Sequence, residues 1–330
     1  MFFQAKWGID RSWCRKKGHS SSRPSLSKVA DFLLDLHLEK KLAPSSTRGY
    51  SSMLSLVFRS KLPDVSTTPV ISDFLRSFSL SPASGPRVFP SWDVNQVLTY
   101  LSGAPFEPLG QASFRNLTKK TLFLVSLATV KCVSELQAIS VEVGTSPLPS
   151  SDLLLSYLPN FVAKTESESN PIPRSFILKL LKDRVGENEP EKLLCPVRSL
   201  RYYLKESRPR GAVRPSNLSI SPSRPSHALS KNALSFFLRE TISEAIGSGS
   251  DGGPSPRAHS IRGMGTSLAF SRNWSVSDVM KAVSWRSNTV FASCYLREVS
   301  FSFEDHFTLG PVVAGGQVLG SADEVRSRQT

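Results

Sequence analysis

The sequence predicts a mainly α-helical protein with one small antiparallel β-sheet, divided into two domains. Apolar residues recur at helical spacing through most of the first 80 residues and again in the last third. A Ser- and Pro-rich run without periodicity separates the first helical group from the rest. Short β-prone segments bounded by turn-forming residues then interrupt the second part. At 330 residues the chain is long enough for each domain to bury a core without disulfides or metals.

In the first domain, residues 1–80, three helical patterns stand out: Val29 to Leu38, with Val29, Leu33 and Leu36 on one face, then Thr47 to Phe58, then Val70 to Phe78. Ser27 and Ser46 suit N-caps, and Pro44 is expected to stop the first of these helices. A segment around Trp7 to Cys14 offers a fourth helix, weakened by Gly8. Residues 81–90 read as an interdomain linker.

In the second domain, residues 91–309, Ser91 can cap a helix through Val94, Val97, Leu98 and Leu101, and a longer helical pattern covers Leu117 to Ala128. Four β-prone segments follow, Ile139 to Val143, Leu153 to Ser156, Phe161 to Lys164 and Ser175 to Leu178. Helices resume at Val197. Ser230 caps an amphipathic pattern through Leu234, Phe237, Leu238 and Ile242, closed by Gly247 before a glycine-rich loop. The tail, residues 310–330, is glycine-rich and then polar, and reads as flexible.

Charge narrows the choice of partner. Lys and Arg number 41 against 27 Asp and Glu, a formal net charge of +14, which favours a polyanion such as nucleic acid. Cys14, Cys132, Cys195 and Cys294 form no CxxC pair, so a reduced compartment is the simplest reading and no zinc site is expected. The five histidines are scattered singly. Met1 to Lys17 has no apolar core of signal-peptide length, and the longest apolar stretch, around Leu122 to Val130, is broken by Ser126 and Thr129. An intracellular, nuclear location is expected, with no membrane partner.

The chemistry-bearing segment is AHSIRGMG, which sets His259 and Arg262 three residues apart, on one face of a helical start. Alone, this spacing recurs by chance in many chains. Residues Ser275 to Trp285 form a further helical pattern, and SNTVFASCYL opens another that carries Tyr295. Trp285 lies 23 residues after Arg262, and Tyr295 lies 10 after Trp285.

This ordered set resembles the tyrosine recombinase (phage-integrase-like) family. With Trp285 in place of the commoner second histidine, it is most similar to the recombinases of DIRS-like and Ngaro-like eukaryotic retrotransposons. FQAKWGIDRSWCRKKG, KVADFLLDL, FPSWDVNQVLTYL and LLCPVRSLRYYL look like the same group, so the resemblance runs from about Phe3 to Phe303. It implies a helical, SAM-like core-binding domain that clamps double-stranded DNA, followed by a recombinase catalytic domain, the two closing around the duplex. It also implies a tetramer on DNA, with Glu298 to Leu309 as a segment exchanged between copies. Neither a cofactor nor a small-molecule substrate is implied.

The resemblance also assigns roles. Tyr295 is the nucleophile that attacks a backbone phosphate and keeps the bond energy in a phosphotyrosyl link. Arg262 clamps the charge that develops on the non-bridging oxygens, His259 acts beside it, and Trp285 supplies an indole N–H donor. Lys164 matches the lysine that protonates the leaving 5′ oxygen, with Lys179 and Lys182 as rivals and a solvated phosphate-touching lysine as the plainer reading. Glu135, in the Ser134-Glu135-Leu136 run, buttresses the site, or is an ordinary exposed helix glutamate. Without the upstream motif, Tyr295 and Trp285 would read as core residues.

One position departs from the pattern. The family has an arginine where this chain has Cys132. Sliding the alignment brings Lys131 there, but on a helix that step turns the side chain by about 100°, and lysine lacks arginine's planar fork. Losing a clamp of this kind typically costs on the order of 10²-fold in rate. Two readings follow: an active recombinase that integrates a mobile element's DNA, or a catalytically impaired relic that only binds DNA. A third, an interaction protein that uses only the helical bundle, would show DNA affinity without salt dependence.

Overall fold

The computed structural model describes residues 2–282 apart from 63, 66, 81–91, 143, 146–151, 165, 167, 169–170, 182–188, 209–212, 248–255 and 272–274. The linker at 81–90, Ser91, Lys182, Trp285, Tyr295, the segment 298–309 and the tail 310–330 lie outside the described residues. The described part is mainly helical with one small antiparallel sheet. The chain divides into two compact units, Met1–Val88 and Phe89–Thr330.

The first unit holds α1 (Phe2–Lys16), α2 (Leu26–Leu38), α3 (Pro44–Phe58) and α4 (Pro69–Leu80). Val29, Leu33 and Leu36 share the buried face of α2 with Phe32, against Met53 and Leu54 of α3 and Ile71 and Leu75 of α4. Burying Phe32 completely stabilises the unit by about 2–3 kcal/mol. The cap of α2 is Ser25, whose side chain accepts from the Lys28 N–H, two residues before the expected Ser27. Pro44 does not stop α2, which ends at Leu38. It opens α3 at the first helical position, where a missing N–H costs nothing, so Ser46 lies inside the helix. Helix α1 runs through Gly8 and ends on Arg15 and Lys16, cations that suit the negative end of its dipole. Its Trp13 indole donates to Asp35 Oδ2 at 2.8 Å, tying α1 to α2.

The second unit is built around α6 (Phe114–Thr129), buried along its length from Leu117 onward. Three helices pack on it: α9 (Pro196–Glu206), α10 (Lys231–Ile246) and α11 (Ala258–Ser271). Helix α5 (Val94–Ser102) packs on α10, and Asp93 caps it by accepting from the Asn95 N–H at 2.9 Å. The Leu122 to Val130 stretch is therefore the centre of a globular core, and among the described residues no helix is long and apolar enough to cross a membrane. Helices resume before Val197, with α8 (Glu189–Leu193). Ser230 caps α10 through the Ala233 N–H, and Gly247 closes it at φ 73°.

Two lysines inside α6 are structural. Lys120, fully buried, donates to the Leu101 carbonyl at 2.7 Å and to Glu107 Oε1 at 2.5 Å, and Arg198 of α9 grips both oxygens of the same carboxylate. Lys119 pairs with Glu240 and Glu244 of α10. Buried charges persist only when paired in this way.

The sheet has three antiparallel strands in the order β1 (Gly144–Thr145), β2 (Leu153–Ser156), β3 (Ser175–Leu178), with Leu154 opposite Ile177 and Leu155 opposite Phe176. Two of the expected strands are not strands. Residues Ile139 and Ser140 make single bridges to Tyr157 and Asn217, because the backbone there pairs with two different neighbours in turn. Phe161 to Lys164 is a turn: the Phe161 N–H bonds back to Leu158 and its carbonyl accepts from Arg174, which removes both groups from any ladder.

Candidate functional site

Helix α6 ends at Thr129, and the short helix α7 (Val133–Gln137) begins four residues later. Between them Val130 takes the left-handed conformation, φ 47°, which reverses the chain direction. Cys132 is the N-cap residue of α7, and its N–H donates to Glu135 Oε2 at 2.8 Å. That bond folds the glutamate back over its own helix start, as in the second half of a capping box. Glu135 is buried at 5% exposure and is not an exposed helix residue.

Helix α11 brings the distant motif to this carboxylate. Arg262, also buried, places Nη1 3.8 Å from Glu135 Oε2, within ion-pair range but too far for a hydrogen bond. Two contacts seat the helix. The Trp92 indole donates to Ser260 Oγ at 2.8 Å, fixing its first turn. Gly265 faces the end of α6, where a Cβ would stand 2.7 Å from Val130 Cγ1 and 3.0 Å from the Leu127 carbonyl oxygen. Only glycine permits this approach.

Two further residues lie by this group: Tyr157, which the sequence did not single out, and Lys131. Tyr157, just past β2, sets its hydroxyl 3.5 Å from Glu135 Oε1, and its ring contacts Phe161 and Phe176. Burial, the Glu135 charge and Cys132 push the Tyr157 phenol up, against an opposing effect of Arg262. Lys131 lies in the connection between α6 and α7, with Nζ 5.3 Å from the centre of the Phe176 ring. Burial pulls its ammonium below the usual range; Glu135 opposes that and Arg262 adds to it. The expectation that Lys131 is turned aside on a helix is corrected, since residues 130–132 belong to neither helix.

Cys132 itself is half-buried, with Sγ 3.0 Å from Ser134 Oγ. Burial first, then Glu135, raise its thiol, so it carries no charge at neutral pH.

Of the other anticipated residues, His259 sits one turn before Arg262 on α11 and is exposed. Lys164 is exposed on the turn after β2. Glu166 holds that turn by accepting from the Ala163 N–H at 2.9 Å and from Arg174 at 2.6 Å. Lys179 follows β3 and is half-buried. Trp285 and Tyr295 lie beyond the last described helix, α12 (Val276–Ala282). Among the described residues no group of three His, Cys, Asp or Glu side chains could hold a metal ion.

No family model matches the chain, and no curated protein matches it in sequence. Among solved structures, the chain is similar to a lambda integrase dimer bound to a COC′ core site. The identity is 13%, 92% of this chain and 91% of that chain are covered, and the TM-score is 0.48. A lambda integrase tetramer bound to a Holliday junction matches at 15% identity over 87% of this chain and 70% of that chain, TM-score 0.47. The XerA recombinase matches at 12% identity over 90% and 87%, TM-score 0.42.

Proposed function

We propose that this chain is a DNA-binding strand-exchange protein of the tyrosine recombinase kind, acting on double-stranded DNA. The observation that carries the reading is the meeting of two motifs far apart in sequence. Arg262, from the His259-x-x-Arg262 pair, stands against the buried Glu135 of the Ser134-Glu135-Leu136 run. A structural ion pair would need only the two charges, whereas the recombinase reading also accounts for His259 and Lys164 at the surface and for Tyr295 and Trp285 at their spacings. The net charge of +14 suits a polyanionic partner.

On this reading the Tyr295 hydroxyl attacks a backbone phosphorus and gives its proton to His259, the bond to the 5′ oxygen breaks, and Lys164 gives that oxygen its proton. A 3′-phosphotyrosyl link results, and rejoining reverses the steps without ATP or metal. Arg262 and His259 meet the charge on the phosphate, Trp285 adds an N–H donor, and Glu135 positions Arg262. The helical first unit and the second both grip DNA, and the working form is a tetramer. The resemblance of its motifs to those of DIRS-like and Ngaro-like recombinases supports integration of a mobile element, within the nucleus, as the setting.

One observation favours a second reading, a catalytically impaired DNA-binding relic. At the family's first arginine position stands Cys132, a neutral thiol that cannot clamp an oxyanion. Trapping on nicked terminal-repeat DNA separates the two. With wild type, Cys132→Arg and Tyr295→Phe compared on a denaturing gel, an active recombinase gives a covalent band in wild type and none in Tyr295→Phe. A relic gives the band only in Cys132→Arg. No band from any variant on DNA that is demonstrably bound would overturn the site assignment.

A further inference from the structure

The connection between α6 and α7 carries a cation of its own. Val130 at φ 47° turns the chain, and the close approach of Gly265 holds that turn against α11. Lys131 follows at once, and its ammonium lies over the face of Phe176 on β3. The Phe176 ring meets that of Tyr157, whose hydroxyl is 3.5 Å from Glu135 Oε1. Three segments meet here: α11 brings Arg262 within 3.8 Å of Glu135 on α7, and the α6–α7 connection sets Lys131 next to Cys132, whose N–H donates to the same carboxylate.

We propose that Lys131 is the second phosphate-binding cation of this site, meeting with Arg262 the non-bridging oxygens of the DNA phosphate that is attacked. The inference rests on the strand-exchange reading for the identity of the phosphate, but the contact itself is measurable without any cleavage. Its basis is placement: the residue is one position before Cys132, yet the chain there is a turn rather than a helix, so the neighbouring position can serve the same cluster. The long aliphatic stem supplies reach, and the Phe176 face steadies the ammonium. A phosphate beside it favours the charged form, so binding restores what burial takes away. Lysine acts as a point charge without a bidentate fork, which predicts a slower reaction than an arginine would give.

The test uses the full chain and a fluorescently labelled, nicked terminal-repeat duplex. Binding is followed by anisotropy across a salt series, and covalent adduct is scored on the same DNA. Lys131→Met keeps the stem on Phe176 and removes the charge; Lys131→Arg keeps the charge. If Lys131 meets a phosphate, Lys131→Met lowers the slope of log affinity against log salt by roughly 0.9, and Lys131→Arg leaves it unchanged. Where wild type forms adduct, Lys131→Met slows it on the order of 10²-fold, and adding Cys132→Arg to Lys131→Met restores it. An unchanged salt slope in Lys131→Met overturns the proposal whatever the adducts do. Absence of adduct in every variant, including Cys132→Arg, sinks the strand-exchange reading instead, and the slope still decides whether Lys131 touches DNA.

Discussion

Arg262 Nη1 lies 3.8 Å from Glu135 Oε2, while the same oxygen accepts the Cys132 N–H at 2.8 Å. One buried carboxylate therefore orders its own helix start and neutralises a buried cation from another helix. Removing it takes that carboxylate away from the buried Arg262. Glu135→Ala should cost about 3 kcal/mol in urea unfolding followed by circular dichroism. Glu135→Gln keeps an acceptor for the Cys132 N–H and should cost visibly less, so equal losses would mean that the charge does not matter there.

Gly265 tests the seating of α11. Glycine to alanine inside a helix ordinarily stabilises by about 1 kcal/mol. Here the new methyl would meet Val130 Cγ1 at 2.7 Å and the Leu127 carbonyl at 3.0 Å, and neither is the far end of a flexible side chain. Overpacking should win, and Gly265→Ala should destabilise by about 1–3 kcal/mol. Val130→Gly removes one clashing atom and the left-handed strain together, so the double variant should recover part of the loss in a thermal melt.

The Glu107, Lys120 and Arg198 cluster holds α6 to α9 and to the end of α5, and takes no part in the proposed site. Glu107→Gln should therefore destabilise the protein by about 3 kcal/mol through two cations left without their partner. At temperatures where the variant is still folded, its salt slope for DNA should equal that of wild type, in contrast to Lys131→Met. A changed slope would mean that these cations reach DNA.

Asp10 gives the first unit a pH dependence. Its carboxyl is 4% exposed, Oδ2 has no hydrogen-bond partner among the described residues, and burial raises its pKa from 3.8 to about 6. The folded state thus holds the proton more tightly than the unfolded chain. The stability this contributes is complete below pH 4 and is lost as pH rises through about 6. Hydrogen-exchange protection of α1 should be greater at pH 5 than at pH 7.5 by about 1 kcal/mol. Asp10→Asn should flatten that difference; if it persists, another group is responsible.

Much of this was legible from residue order. The faces of α2, α5 and α10 follow from apolar spacing, since a residue at i+3 or i+4 returns to the same side of a helix whatever it packs against. The strands Leu153–Ser156 and Ser175–Leu178 were legible because each is a β-prone run between turn formers. Phe161 to Lys164 misled, because its backbone groups are claimed by Leu158 and by the Arg174 side chain, which periodicity does not encode. Ser27 misled because several nearby serines can cap equally well in sequence and only the chain path selects Ser25, and Ser46 misled because Pro44 opens α3 two residues earlier.

The sequence by itself determined the helical character of both units, the positive charge and the motif residues His259, Arg262, Glu135 and Lys164, all of which depend on local order and composition. Only the tertiary structure decided that Glu135 is buried, that Lys119 and Lys120 are spent on internal ion pairs, and that Lys131 lies over the Phe176 ring. The physical reason is the same in each case. A charge acquires its role from the partners and burial around it, and here those partners come from helices distant in sequence, brought together by the packing of α11 on α6 through Gly265.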